Sequence, residues 1–331
     1  MAGSVIITAA NGSLAIPAVV HLLKTLPDHL AILTVRNASD KDPNTAALRA
    51  EISRFPQAKT VIHELDLSKL SAVRDFTKTV ARNIDNGAYP RVKAIICNAF
   101  HWNLTSPEPI LTSDGFEQSF QINHIAHATL VLRLLDHFDP AGARIVTLST
   151  DAHWPGRNPL EKKAPEIPDN VDALATPPVE SDYTGRPFQR YANSKLAAVM
   201  WTHALNRRLL AHSTLSKVNA VAMEPGSLTD SRALRTNTPS TLWYLQRFIL
   251  QPFQPILCYI NPTMRSVTEV GPVLMDLALQ KSHPGERGHF DFRTKSDSSP
   301  ASMDEKKQDL IWEKTLEWAG LTKGEIDALG L

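Results

Sequence analysis

Cysteine is nearly absent from this chain: two in 331 residues, Cys97 and Cys258, far apart and in unlike contexts. That excludes a disulfide framework and fits a reducing compartment. Charge of one sign is lacking too. Lys and Arg total 35 against 34 Asp and Glu, for a net charge of +1. No basic patch points to nucleic acid, so no nucleic-acid partner is expected. No apolar run approaches the ~18 residues expected of a spanning helix. The nearest, Leu242–Ile260, is broken by Gln246, Arg247, Gln251 and two prolines. It reads as a substrate lid or a subunit contact, with membrane-surface association as the alternative. No basic region precedes the first apolar run, so the start does not read as a signal peptide, and a cytoplasmic location is expected. Glycine is scarce as well, 14 in all.

What is present is a sequence 43% hydrophobic, enough for a substantial core. Apolar strand-like runs (Ser4–Thr8, Ala31–Val35, Thr60–Leu65, Val92–Cys97, Arg144–Ser149, Lys217–Ala222) alternate with helical patterns (Leu14–Leu26, Thr45–Phe55, Leu70–Ile84, Asp114–Phe138, Tyr191–His212). This alternation implies an α/β fold: one doubly wound, Rossmann-like parallel sheet with helices on both faces. With no linker or repeat, residues 1–331 read as a single domain. Residues 151–190, holding seven prolines, and 227–263 break the pattern and read as substrate-covering insertions. The tail from Asp304 to Leu321 reads as a helix anchored by Trp312 and Trp318.

Ligands of such sheets sit beyond the carboxyl ends of the strands, and chemistry-bearing residues cluster there. The first turn, Thr8-Ala-Ala-Asn-Gly-Ser-Leu-Ala15, leads from strand to helix, the arrangement that offers backbone N–H groups to a phosphate. Tyr191 and Lys195 are four apart on a helix and share a face. A lysine ammonium near a phenol favours the phenolate, lowering a pKa that starts at about 10 and making the tyrosine a usable proton donor and acceptor. The strand Arg144–Thr150 ends in two hydroxyls, Cys97-Asn98-Ala99 ends the strand before it, Asn123 lies in the helix between, and Met223-Glu-Pro-Gly226 is followed by Thr229.

In this order the motifs resemble those of the short-chain dehydrogenase/reductase family, and the segments Arg144–Trp154 and GHFDFRTKSDSSPAS resemble its retinol-dehydrogenase-like and protochlorophyllide-reductase-like branches. The resemblance covers nearly the whole chain. It implies NADP(H)-dependent carbonyl reduction or alcohol oxidation, with catalytic Tyr191, Lys195, Thr150 and Asn123. Asn123 would support a water leading to Lys195. Thr150 stands where the family's catalytic serine is usual; Ser149 is a fallback that strand alternation points the other way. The implied cofactor contacts are Thr8, Ala10, Asn11, Gly12, Ser13, Leu14, Arg36, Asn37, Asp66, Leu67, Asn98, Ala99, Tyr191, Lys195, Pro225, Gly226 and Thr229. Arg36 suits a 2′-phosphate, hence NADPH over NADH. Asp66 either contacts adenine or caps the helix it precedes.

The departures from the pattern are Ala9, Ser13 and Ala15 at three glycine positions, and Phe100 at a fourth, where it either narrows the nicotinamide end or packs in the core. Ser13 is the most serious, and its hydroxyl is expected to reach a phosphate. His101, His124, His127 and His153 lack metal-ligand spacing, so no metal is expected; His153 and Trp154 are candidates for the substrate pocket. The expected partner is a fairly apolar, bulky small molecule, such as a ketone or aldehyde intermediate of secondary metabolism. A redox-neutral cyclase or isomerase, or a non-catalytic binding protein, are the alternatives. Monomer and homo-oligomer stay open.

Overall fold

The computed structural model describes residues 2–261 and 263–330. Its frame is an eight-stranded sheet in the order β10-β9-β6-β5-β4-β1-β2-β3. The strands are β1 (Gly3–Ile7), β2 (His29–Val35), β3 (Lys59–Glu64), β4 (Val92–Cys97), β5 (Ala143–Leu148), β6 (Val218–Glu224), β9 (Gly288–Asp291) and β10 (Thr294–Ser296). All pairings are parallel except the β9–β10 hairpin at the edge. Two short strands, β7 (Ser227–Leu228) and β8 (Met264–Arg265), pair apart from it. The doubly wound parallel sheet is therefore observed. Its strand order reverses between β1 and β4, where such folds open a ligand crevice.

Central strands buried on both faces explain their continuous Val/Ile character. One face carries α1 (Ala15–Thr25), α2 (Pro43–Ile52) and α10 (Val267–Ala278), whose Val19, Leu22, Leu48, Val270 and Leu274 share a core with Val5, Ile7 and Leu33. Gly271 of α10 is required there: a Cβ would lie 2.6 Å from the Pro17 side chain and 2.7 Å from the Ala18 amide nitrogen. The other face carries α3 (Leu70–Asp85), α4 (Gln118–Phe120), α5 (Ala126–Leu132), α7 (Arg186–Ala211) and α11 (Glu305–Trp318). Trp312 and Trp318 are buried in that core as expected, with Asp304 capping α11. Small helices α6 (Asp172–Ala175), α8 (Ser240–Leu245), α9 (Gln254–Ile260) and α12 (Lys323–Leu329) complete the chain.

Three expectations need correction. The single helix over Asp114–Phe138 is broken: α4 leads through a π-helical turn, Gln121–Ile125, into α5, and a short 3₁₀ turn spans Leu135–His137. Residues 227–263 are largely ordered as β7, α8, a π turn at Gln246–Leu250 and α9; Pro262 lies outside the described residues. Helix α10 and strands β9 and β10 were not anticipated. Gly271 and Pro272 disguise the helix, and β9 is only four residues long. No helix among the described residues is long and apolar enough to cross a membrane.

Candidate active site

The carboxyl ends of the parallel strands lie along one edge of the sheet, and the expected site residues either follow those ends or lie on the helices beside them. At its first end, Thr8 is fully buried. Its hydroxyl accepts from the Ala99 amide at 2.9 Å and lies 2.9 Å from His127 Nε2. Asn98 Nδ2 donates to the carbonyls of Thr8 and Ala9 at 2.9 and 3.1 Å. These side chains hold the turn where glycine is missing. Ala9 pays a conformational cost there, with φ of +48°, the left-handed region glycine enters freely. Ala10 donates to the Thr34 carbonyl, and Gly12 closes back onto the Ala9 carbonyl at 2.8 Å. Leu14 precedes α1 without any side-chain cap, and the first turn has no acidic residue. The helix start is thus free to offer its amides to an anion.

Arg232, not foreseen as a site residue, crosses this turn. Its amide donates to the Ser13 hydroxyl at 3.0 Å. Its guanidinium donates to the Asn11 carbonyl and the Asn44 side chain. Asn11 in turn donates to the Thr45 hydroxyl, which donates to the Asn37 carbonyl. Ser13 is therefore already an acceptor for the chain above it. Its one hydroxyl proton is what it retains for a phosphate. Arg36 follows β2, exposed, with no ion pair or hydrogen bond among the described residues. Asp66 is engaged locally: Oδ1 accepts from the Ser68 amide and hydroxyl at 3.0 and 2.7 Å. This closes a local turn and does not cap α3, whose N-cap is Lys69 and whose first amide donates to Asp114 instead; Leu67 is buried beside it. Gly226 has φ of +81°, and a Cβ there would stand 2.4 Å from the Thr263 carbonyl oxygen, so the Pro225-Gly226 turn demands glycine. Thr229 is buried, its amide on the Arg265 carbonyl at 3.2 Å.

At the other end of the cleft, α7 begins after Gly185 and places Tyr191 and Lys195 one turn apart, both buried. Lys195 Nζ stands 5.8 Å from the centre of the tyrosine ring and donates to the Leu148 carbonyl at 2.9 Å. Burial lowers its pKa to about 8. The tyrosine departs from expectation: its pKa is pushed up, first by burial, then by the carboxylates of Asp151 and Glu224. Lys195 is not among the groups that act on it. A hydrogen bond from Thr150 acts in the opposite direction and lowers it. Thr150 thus sits on the tyrosine's side, while Ser149 points away, its hydroxyl 3.3 Å from His153 Nδ1.

Asn123 lies in the π-helical turn, a form of helix common at functional positions. Its Oδ1 accepts from the His101 amide at 2.7 Å, while Nδ2 donates to the His101 carbonyl at 2.8 Å and the Ser194 hydroxyl at 2.9 Å. It clamps the loop after β4 to the residue preceding Lys195.

The tyrosine's surroundings are apolar and aromatic. Trp102 meets it edge to face at 5.2 Å, Phe188 lies 6.1 Å away, and Ala152, Leu104 and Leu160 complete the cluster. Phe100 is not in the core: it is 43% exposed and stands against Trp102 at 6.1 Å. His153 is fully buried behind the catalytic turn rather than lining a pocket. His124 and His127 pair with Thr315 and Thr8, and burial holds both imidazoles neutral. Asn237 reaches His101 at 3.2 Å, and its carbonyl accepts from Leu104, so the chain before α8 closes over the cleft.

Comparisons with known proteins agree with this fold. A family model described as AcuH dehydrogenase domain matches residues 232–329. The chain is 27% identical to Short-chain dehydrogenase iccH of Talaromyces variabilis, over 98% of this chain and 97% of that protein. It is 42% identical to Dehydrogenase acuH of Aspergillus aculeatus, over 26% of this chain and 89% of that protein. It is 24% identical to Protochlorophyllide reductase B of Hordeum vulgare, over 96% of this chain and 79% of that protein. Among solved structures, a short chain dehydrogenase from Burkholderia cenocepacia in complex with NADP superposes with a TM-score of 0.57 at 17% identity, covering 88% of this chain and 97% of that one.

Proposed function

We propose that the chain is an oxidoreductase of the short-chain dehydrogenase/reductase type, which it resembles over nearly its whole length, and that it reduces a ketone or aldehyde on a fairly apolar, bulky small molecule with NADPH. The observation that carries this reading is the cluster of Thr150, Tyr191 and Lys195 at one end of a cleft whose other end is an uncapped helix start. NADP is bound by the Burkholderia cenocepacia relative in fold, and the residues here suit it. Arg36, unpaired after β2, would take the 2′-phosphate. The amides before α1, with Arg232 above them, would take the diphosphate. Lys195 would hold the nicotinamide ribose.

The bound nicotinamide supplies the hydride. Tyr191 gives the proton: its phenol, kept protonated by burial and neighbouring carboxylates, donates to the carbonyl oxygen as negative charge develops there. Thr150 holds the phenol and that oxygen in line. Asn123 fixes the loop after β4 against α7, keeping Lys195 in register. Trp102, Leu104, Leu160 and Phe188 line the substrate side with apolar surface, which favours a hydrophobic or polycyclic carbonyl over a sugar.

The test is NADPH consumption with a panel of apolar cyclic ketones. Tyr191→Phe should cost about 10²- to 10⁴-fold in kcat while leaving NADPH affinity and fold unchanged. Thr150→Ala should cost less and Thr150→Ser little. Near-normal turnover by Tyr191→Phe would overturn the mechanism.

A further inference from the structure

Behind the turn that carries Thr150 lies a largely buried polar cluster, of which the reading above uses only the Glu224 carboxylate, through its effect on Tyr191. His153, Glu224 and His289 come from the turn after β5, the end of β6 and strand β9. Each offers one ligand atom, and these atoms all lie within 4.8 Å of one another. The strand register explains the convergence. Ala222 pairs with His289 and Glu224 with Asp291, so Glu224 and His289 project from the same face of the sheet.

Three atoms in this cluster lack partners. His289 is 3% exposed, and its Nδ1 is 2.9 Å from the Ser296 hydroxyl, but its Nε2 is buried without a hydrogen bond. The Ser299 hydroxyl is likewise buried and unpaired. The Glu224 carboxylate makes no hydrogen bond or ion pair among the described residues; burial and the like charges of Asp151 and Asp291 outweigh Arg157 and Arg265 in acting on it. Buried polar groups are normally satisfied, and several orphans around one point indicate a missing partner.

We propose that His153, Glu224 and His289 bind a single divalent transition cation, zinc foremost, beneath the catalytic turn. Two imidazole nitrogens and one carboxylate oxygen are a donor set zinc accepts, with the Ser299 hydroxyl or a water in a fourth position. His153 Nδ1 is fixed on the Thr150 carbonyl at 2.6 Å, which leaves Nε2 as the ligand atom. That nitrogen now accepts from the Ser299 amide at 3.1 Å, so cation binding exchanges one bond for another. Burial lowers the two imidazoles to about 4 and about 3, which keeps both in the neutral form that ligates metals. Glu224, raised to about 7 by burial and by the carboxylates beside it, would be held ionised by the cation. Through His153 the ion would steady the backbone of Thr150, a positioning role.

The experiment is calorimetric titration of chelator-treated, tag-free protein with Zn²⁺, with Mg²⁺ as an oxygen-preferring comparison. One equivalent of Zn²⁺ should bind and Mg²⁺ should not. Glu224→Gln and His289→Gln should each weaken Zn²⁺ binding at least about 10-fold, and His21→Ala, remote from the cluster, should leave it unchanged. X-ray absorption on the zinc-loaded protein should read two imidazole ligands. No binding by the folded wild type, binding insensitive to Glu224→Gln, or fewer than two imidazoles would overturn the proposal. Glu224 is partly exposed and its amide nearly isosteric, so this variant decides the matter even if His289→Gln does not fold.

Discussion

The two ends of the cleft are built on different principles. At the phosphate end the usual backbone solution, glycine, is largely gone, and side chains stand in for it: Asn98 holds the Thr8 and Ala9 carbonyls, Thr8 anchors Ala99, and Arg232 covers the turn. At the end where chemistry is proposed the side chains themselves would be the machinery, with Tyr191 and Lys195 one turn apart on α7 and Thr150 beside the tyrosine. A backbone site can be rebuilt from many sequences, because what it presents is amide geometry. A proton donor cannot be rebuilt, because what it presents is one atom.

That contrast can be pressed experimentally. The largest effect in the phosphate half is expected from its arginines. Arg36→Ala should weaken NADPH about 10- to 100-fold, the worth of a charge-assisted hydrogen bond, and leave NADH nearly unchanged. Arg232→Ala should weaken both, since it contacts the turn rather than the place of the 2′-phosphate. Dissociation constants for both dinucleotides check this, and an unchanged NADPH preference in Arg36→Ala would remove it from the site. Next comes a pH effect at the chemical end. Lys195 loses its proton above about pH 8, so kcat/KM for reduction should fall about tenfold per pH unit above that value. Lys195→Arg, if active, should carry the plateau to higher pH. For stability the sign is opposite. A lysine depressed on folding resists protonation in the native state, so its contribution to stability rises as pH climbs from about 8 toward the ordinary value of 10.5. The smallest effect belongs to Ala9→Gly. Relieving the left-handed alanine should stabilise the fold by about 0.5–1 kcal/mol, less than the full steric relief because glycine adds unfolded-state entropy. Thermal melting reads it. A lower melting temperature would mean the turn does not carry that strain.

Legibility in the sequence follows the same division. The sheet and most helices were readable because buried parallel strands are continuously apolar and helices keep their period. That Tyr191, Lys195 and Thr150 come together was readable, because the order and spacing of residue types place them on neighbouring elements. Arg232 was not, because its role arises only from a loop folding back over a turn at the opposite end of the chain. The direction of the Tyr191 pKa was also hidden. Burial raises it first, and then Asp151, in the turn after β5, and Glu224, at the end of β6, add to it. The polar cluster of His153, Glu224 and His289 escaped for that reason as well, its members being distant in sequence, and β9 too short to announce itself.

The Arg232 bridge has a consequence for how the protein comes into being. Its bonds to Ser13 and Asn11 join residues 219 and 221 positions apart, whereas Asn98 and Thr8 are separated by 90. Contacts spanning such long loops form late, because the chain entropy of closing them must be lost first. During synthesis, β1 and its turn leave the ribosome long before Arg232 does. The turn is therefore made well before the residue that covers it and is among the last parts of the fold to mature.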